Sequence, residues 1–474
     1  MLAALAVVYI AGLRLWFDLH APAMGDETYY WMWGQRLGWS YFDHPPLDAW
    51  LQAGVAALFG WSTFSLRLLT WLSLGGTLVL LWLWAKRLRP AGAPDLFWRS
   101  AAILLTVPVM VLFTIQASHD HLLVLFAVAA LYSLWRFVED WETARRGIRF
   151  LYLAGVALGL ATLTKYNGAL LAPGFVALFV FRPSLRSALR TPHPYLAALL
   201  AVAMQAPVIY WNLTEGLATL RFHFLERPSG HWDHASLMQG VGFLVESILV
   251  AGPVLVLSLV RAPWAMRVAP QRTVIAIALT VFAVATGIVF IASLFTDILL
   301  HWNIVAYVAL GLAGVWLLGR WLIWPHVLLG LYLTTVMVLN YSVGPLAAPG
   351  FVDPGTAAMF GWPEVGAAVT EAQKQHPQAF LAATKYDYAS QLGFALHSAD
   401  VTAINPLRSQ YDIWWSAAAH LGQDAIIVAD QRNPIELSSP WFNAVSKLAE
   451  VPVVVNGQQI WSFDIYLGQG YQPR

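Results

Sequence analysis

Apolar residues in this chain come in long runs rather than in alternation. A segment that crosses a bilayer needs about 20 mainly apolar residues. Segments of this kind lie near 2–17, 63–85, 101–117, 121–138, 149–164, 168–181, 195–213, 237–260, 273–295, 299–318 and 321–343. They predict about eleven transmembrane helices. The pairs 149–164/168–181 and 299–318/321–343 are joined by very short turns, so the count depends on those junctions. Beyond residue 345 the pattern changes, and no window is long enough to span. Asp424–Asp430 and Val451–Val455 read as buried strands, and Trp461–Leu467 alternates as a half-buried strand. Pro363–Gln375 reads as a helix that stops before Pro377. The expected architecture is a polytopic α-helical membrane domain over 1–345, with interfacial helices in a first outer loop at 18–62. A small α/β domain over 346–474 follows.

Composition removes the main alternatives. Hydrophobic residues make up 59 % of the chain and charged residues 11 %, where soluble domains carry about 25 % charge. A soluble enzyme and a disordered chain are excluded. Lys plus Arg (27) and Asp plus Glu (26) nearly cancel, so no basic field exists for nucleic acid. There is no Cys, hence no disulfide and no thiolate chemistry.

Charge placement then orients the threading. With the first linker outside and strict alternation, the inner loops collect 15 Lys and Arg and the outer loops 4: Arg36, Lys165, Arg221 and Arg227. Cytoplasmic loops hold the excess of positive charge. An odd number of spans sends the C-terminal domain outside. Ala21-Pro22-Ala23 resembles a leader cleavage site, but no positive charge precedes the apolar run and Arg14 follows it. The first span is therefore expected to stay as a membrane helix.

The outer face also gathers the carboxylates and imidazoles, as an outward-facing acid/base or metal site requires. The first outer linker is the densest, reading Gly25-Asp26-Glu27-Thr28-Tyr29-Tyr30-Trp31-Met32-Trp33 and then Tyr41-Phe42-Asp43-His44-Pro45-Pro46. Thr28–Leu37 can form a helix lying in the interface with Trp31 and Trp33 as anchors. Asp26 and Glu27 sit at its N-terminus, where negative charge is favoured. On residue types alone, a capped interfacial helix followed by a Pro-Pro turn explains the same letters. Ser118-His119-Asp120-His121 precedes the fourth span, where Asp120 is either an N-cap or a site residue. Lys165, in Thr164-Lys165-Tyr166-Asn167-Gly168, is a lone cation on the side poor in them. It either offsets a carboxylate or phosphate or snorkels to the interface. A longer outer loop carries Glu226, Arg227, His231, Asp233 and His234, a weak pattern for a divalent cation.

Taken together, these motifs resemble the membrane-embedded GT-C glycosyltransferases. The similar branch includes protein O-mannosyltransferases, the aminoarabinose transferase of lipid A and, nearest in pattern, Rgt-type lipopolysaccharide galacturonosyl transferases. The first-loop acidic pair with its acidic–basic–Pro-Pro tail, the second acidic motif at His119-Asp120-His121, and the Lys-bearing turn at Lys165 occur in the family's order. The resemblance implies a transferase that uses a polyprenyl-phosphate sugar donor, with the lipid tail between spans and the sugar phosphate at the outer face.

By the same resemblance, Asp26 is the first-loop catalytic carboxylate, paired in the motif with Glu27, and Asp120 is the second acidic residue. Lys165, with Tyr166, and Arg227 become candidates for the donor phosphate. Asp43 and His44 stand where the aminoarabinose transferase has Glu-Lys, so a fixed positive charge is replaced by an imidazole. Asp43 or His44 with His231 would form the metal pair of some relatives. The expected acceptor is a cell-envelope glycolipid at the outer face of the bacterial inner membrane, with the active site and C-terminal domain periplasmic. A protein O-mannosyltransferase is the alternative within the class. A secondary transporter is the alternative outside it, although no internal symmetry between halves is present.

Overall fold

A computed structural model describes residues 1–143, 147–222, 234–268, 271–344 and 352–472. Among these, six helices are long and apolar enough to span a bilayer: Leu2–His20 (α1), Thr63–Leu88, Asp120–Glu142, Arg272–Ser293, Leu300–Leu317 and Gly319–Ser342. Up to four more spans arise if each sharply bent helix pair counts as one. The bent pairs cover the expected segments at 101–117, 168–181, 195–213 and 237–260. The expected span at 149–164 is a single 17-residue helix, Ile148–Thr164, at the short end of what crosses a bilayer. Two further helices, Gly25–Gln35 (α2) and Leu47–Phe59 (α3), lie between α1 and Thr63–Leu88 (α4). Both are too short to span. The chain is a multi-pass membrane protein.

The chain folds into two compact units. The first comprises Met1–Arg14, His44–Asp48 and Leu69–Val336. Its interior is built on helix Asp120–Glu142 and helix Ile304–Leu317, both buried on nearly every face. A helix that is apolar all round belongs inside a bundle. Small side chains allow close helix approach where lipid provides no hydrophobic drive. Gly155 and Gly159 of Ile148–Thr164 meet Ala197 and Ala201 of His193–Ala203 in this way, so closely that a Cβ on either glycine would crowd the facing helix. Arg14, buried in this unit, donates to the Thr114 hydroxyl and to the Thr114 and Thr70 carbonyls. Such pairing is what makes an intramembrane charge tolerable.

The second unit comprises Leu15–Asp43, Ala49–Leu68 and Met337–Arg474. Its centre is a mixed five-stranded sheet. The strands are β1 (Phe380–Ala383), β2 (Val401–Ala403), β3 (Ala425–Ala429), β4 (Phe442–Val455) and β5 (Gln458–Tyr471), in the order β2-β1-β3-β5-β4. β1 pairs in parallel with β2 and β3, in register Leu381↔Val401 and Leu381↔Ile426. Helix Tyr386–Leu396 makes the crossover from β1 to β2, as parallel neighbours require. β4 and β5 form an antiparallel hairpin closed by Asn456-Gly457, both at positive φ. That turn needs left-handed backbone at two successive residues, which Asn-Gly accepts readily. The helix expected at 363–375 is present as Trp362–Gln375.

One expectation fails here. Trp31 and Trp33 do not anchor α2 in an interface. Both are fully buried. Trp33 stacks on Tyr41 at 4.5 Å between ring centroids, and Trp31 meets Trp61 and Phe394 edge-on. The sequence of α2 is aromatic on several faces, so it has no clean polar side to leave in water. Its rings find partners in the second unit instead.

Candidate functional site

The first-loop acids lie at the start of α2, and the helix gives the two carboxylates opposite fates. Asp26 is exposed and Glu27 is fully buried. Glu27 Oε2 accepts the Met24 backbone N–H at 2.9 Å. Arg67 of α4 donates Nε to Glu27 Oε1 at 3.0 Å and Nη2 to Oε2 at 2.8 Å. The remaining Arg67 donors reach the carbonyls of Phe17, Ala21 and Pro22. A planar guanidinium with five fixed donors suits such a fork. Glu27 thereby locks the α1–α2 connection and holds the first turn of α2 in place.

Asp26, one residue earlier, is held from the other side. The Tyr386 hydroxyl hydrogen-bonds its carboxylate. The charge of Asp26, together with burial, Asp387 and Asp43, pushes the Tyr386 phenol well above its ordinary range. Tyr386 therefore remains a donor at any physiological pH. Tyr29, next along α2, is also raised, first by burial and then by Asp43. Its hydroxyl accepts the Gln410 N–H at 3.0 Å. The second unit thus presents an exposed carboxylate on a rigid, aromatic-packed helix, with Asp43 half-buried in the same unit.

The first unit holds a second constellation. Lys165 Nζ donates to Asp120 Oδ1 at 3.0 Å and Oδ2 at 2.8 Å, both groups almost wholly buried. Lys165 therefore does not snorkel. It offsets a carboxylate. Its turn is fixed by Gly168, where an added Cβ would lie 2.3–2.5 Å from the Ala161 and Thr162 backbone. No other residue fits so close an approach. Asp120 opens helix Asp120–Glu142, directly after His119, whose imidazole is pushed down by burial, by Lys165 and by His121.

Asp48, at the start of α3, completes this group. Among the described residues neither of its oxygens has a hydrogen-bond partner, and His121 Nε2 lies 3.9 Å away. His121 Nδ1 is 3.0 Å from the Ser73 hydroxyl. Burial, reinforced by the charge of Asp120, lifts the Asp48 carboxyl to about 7.

An apolar groove of about 1000 Å³ opens in the same unit. Ile209, Leu213, Val289, Phe295 and Trp302 line it, and Tyr166, Asn167 and His44 are among its polar lining residues, with Asn212 and three threonines. The Lys165 turn thus contributes directly to the groove wall. Among the described residues no group of three His, Asp or Glu side chains is arranged to hold a metal ion. His231 and Arg227 lie outside the described residues. Asp43 and His44 belong to different units.

Sequence reading missed three participants. Arg67 was visible as an isolated cation within an apolar helix, a position that defaults to a purpose. Asp48 was visible as an acid opening the apolar run of α3. Tyr386 left no signal, because its role depends on a contact 360 residues along the chain.

Comparison with known proteins adds to this geometry. The family described as dolichyl-phosphate-mannose-protein mannosyltransferase matches residues 43–211. A lipid A galacturonosyltransferase, RgtD, from Rhizobium johnstonii is 26 % identical over 333 residues, 67 % of this chain and 66 % of that protein. An undecaprenyl phosphate-α-4-amino-4-deoxy-L-arabinose arabinosyl transferase from Pseudomonas fluorescens is 30 % identical over 184 residues, 36 % of this chain and 33 % of that one. The matches thus span just under two thirds of the first relative and a third of the second. Among solved structures, ArnT from Cupriavidus metallidurans bound to undecaprenyl phosphate aligns with a TM-score of 0.62 at 18 % identity. That alignment covers 98 % of this chain and 97 % of ArnT.

Proposed function

We propose that this chain, a multi-pass membrane protein with the fold of the GT-C glycosyltransferases, moves a sugar from a polyprenyl-phosphate donor to a lipid A or lipopolysaccharide-core glycolipid. The observation that carries this reading is the groove of the first unit. An apolar channel of about 1000 Å³ whose polar edge includes the residues after Lys165 suits an amphiphile with a long hydrocarbon tail and a phosphate head. Similarity to a lipid A galacturonosyltransferase and to a transferase of an undecaprenyl-phosphate sugar supports the same substrates.

The reaction breaks the bond between the anomeric carbon and the phosphate oxygen of the donor. It forms a bond from that carbon to an acceptor oxygen. Where the acceptor is a hydroxyl, Asp26 takes its proton. Tyr386 orients the receiving carboxylate and offers it no competing base. Where the acceptor is already an anion, such as a lipid phosphate, Asp26 orients it instead. Glu27 takes no part in the chemistry, because Arg67 occupies both its oxygens. The leaving phosphate needs positive charge. Lys165 has one ammonium proton left after its two bonds to Asp120, and Tyr166 and His44 add donors at the groove edge. If a metal takes part, Asp43 or His44 with His231 would be the pair that holds it; His231 lies outside the described residues, and no step depends on a metal.

We place the site and residues 346–474 on the periplasmic face of the bacterial inner membrane, with 1–345 as the transmembrane domain. The 15-to-4 bias of Lys and Arg between loops supports that orientation. Mass spectrometry of envelope glycolipids from cells with and without the gene tests the reading. Loss of one sugar residue from lipid A or the core is the expected result. An unchanged glycolipid profile with altered glycoproteins would transfer the assignment to protein O-mannosylation.

A further inference from the structure

The second unit contains a cleft that the reaction above does not use. It has a volume of about 390 Å³ and lies at the β2 edge of the sheet. Arg36, Asp400, Thr402, Tyr411, Trp414 and Trp415 form its working surface. The rings are fixed by one another. Trp415 stacks on His420 with centroids 3.6 Å apart, and Tyr411 meets Trp414 edge-on. The Arg36 guanidinium sits 5.3 Å from the Trp414 ring centre. Its Nη2 donates to the Ala399 carbonyl at 2.7 Å and, at 3.4 Å, to Asp400. That leaves Arg36 Nε and Nη1 without a hydrogen-bond partner among the described residues. Arg36 is partly exposed, whereas Trp415 Nε1 and Thr402 Oγ1 are buried and have no partner among the described residues. Unmet polar atoms of this kind cost free energy unless something satisfies them.

The mixture identifies the ligand class. An apolar ligand would not call for an arginine, a carboxylate and an indole N–H. A peptide strand would need a longer edge than the three residues of β2. A sugar ring presents an apolar C–H face, which lies on indole and phenol rings, and a rim of hydroxyls, which pair with Arg, Asp and Thr. Arg36 adds a preference for a phosphate or carboxylate substituent through bidentate pairing.

Position supplies the second argument. Arg36 caps the C-terminal end of α2, and Asp26 lies in its first turn. Ten residues of helix separate them by about 15 Å. α2 is a rigid spacer between cleft and carboxylate within one unit.

We propose that this cleft binds the anionic saccharide of the acceptor glycolipid, gripping one part of it while the atom to be glycosylated reaches Asp26. This rests on the glycolipid-acceptor reading above and adds where the acceptor is recognised. The probe is fully deacylated lipid A, a phosphorylated glucosamine disaccharide, titrated into the purified full chain in nanodiscs and followed by calorimetry and saturation-transfer NMR. Unphosphorylated chitobiose is the control. The disaccharide phosphate is expected to bind, and chitobiose at least tenfold more weakly. Arg36→Gln and Trp414→Ala should weaken binding and raise the acceptor KM about tenfold, the effect of losing a charge-assisted hydrogen bond. The donor KM and kcat should stay unchanged. Asp400→Asn, at a side chain 95 % exposed, shifts acceptor KM in the same direction without any risk to folding.

An unchanged acceptor KM in all three variants, an equal rise in donor KM, or chitobiose binding as tightly as the phosphate would overturn the proposal. If the wild type binds the disaccharide phosphate but transfers no sugar to lipid A, the acceptor reading fails and the cleft stands. If transfer proceeds and the variants behave as wild type, the cleft fails and the acceptor reading stands.

Discussion

Two buried ion pairs, one in each unit, look alike on paper and behave differently. In the second unit Arg67 and Glu27 are fully buried, and every donor nitrogen of the guanidinium has an acceptor. In the first, Lys165 and Asp120 are as well hidden. Yet beside that pair stands Asp48, which has no hydrogen bond among the described residues, feels the charge of Asp120, and lies 3.9 Å from His121. A saturated pair is a fastener. An unsaturated one keeps capacity for a ligand, at a cost in stability. The contrast gives Glu27 a structural place, and it agrees with the proposed function, in which Asp26, Asp120 and Lys165 carry the chemistry.

The comparison breaks most visibly at the acidic pair of α2. Asp26→Asn should reduce sugar transfer by about 10³-fold with donor binding intact, within the range of losing a general base. Full turnover by the purified variant would remove Asp26 from the mechanism. Glu27→Gln or Arg67→Met should instead unfold the connection, costing about 3–5 kcal/mol by leaving one buried charge unpaired. Thermal melting in detergent measures it, and the double replacement Glu27→Leu/Arg67→Met should recover part of the loss. A Glu27→Gln protein that melts normally and fails only in catalysis would erase the distinction.

On the other side, Asp48 makes stability depend on pH. Its carboxyl is lifted from the ordinary carboxylate range to about 7, so the folded state holds a proton that the unfolded chain releases. The stabilisation is fully present below about pH 4 and is lost as pH rises towards 7. His121 and Asp120 are the groups that face it. The wild type should lose a few kcal/mol relative to Asp48→Asn between about pH 4 and 8. A parallel pH profile for the two would show that Asp48 has a partner in solution. Lys165→Ala should weaken donor binding about tenfold and acceptor binding less, measured as separate KM values; equal effects would make the pair purely structural. At the small end, Lys374→Ala removes an exposed pair with Glu371 and should change the melting free energy by less than about 0.5 kcal/mol.

Much of this molecule is readable from the letters alone, and particular residues show where reading stops. The long apolar segments are helical, because a bilayer leaves backbone groups no other partner; among the described residues six are long and apolar enough to span, up to ten with the bent pairs, and the expected eleven is not reached by that count. Strands β3, β4 and β5 carry long enough patterns to be seen. β1 and β2, at four and three residues, are too short to show a period. Asp26 and Asp120 stand out as acids beside apolar runs. The helix Thr28–Leu37 was legible, but its surroundings were not. An aromatic helix fits a membrane surface or a protein core equally well, and the rings of Trp61, Tyr386 and Phe394 decide for the core.

What the chain of letters determined, then, was what local composition sets: which segments are apolar enough to become buried or membrane-spanning helices, where the pattern gives way to a small sheet domain, and which acids stand beside apolar runs. Hydrophobic transfer and charge placement act residue by residue, so they can be read residue by residue. Tertiary structure decided which of two adjacent carboxylates is sealed and which is exposed, that Lys165 meets Asp120, and that Asp48 has no hydrogen bond among the described residues. Those outcomes depend on which groups, tens or hundreds of positions apart, arrive within hydrogen-bond reach, and an interaction that short-ranged leaves no trace in any single segment.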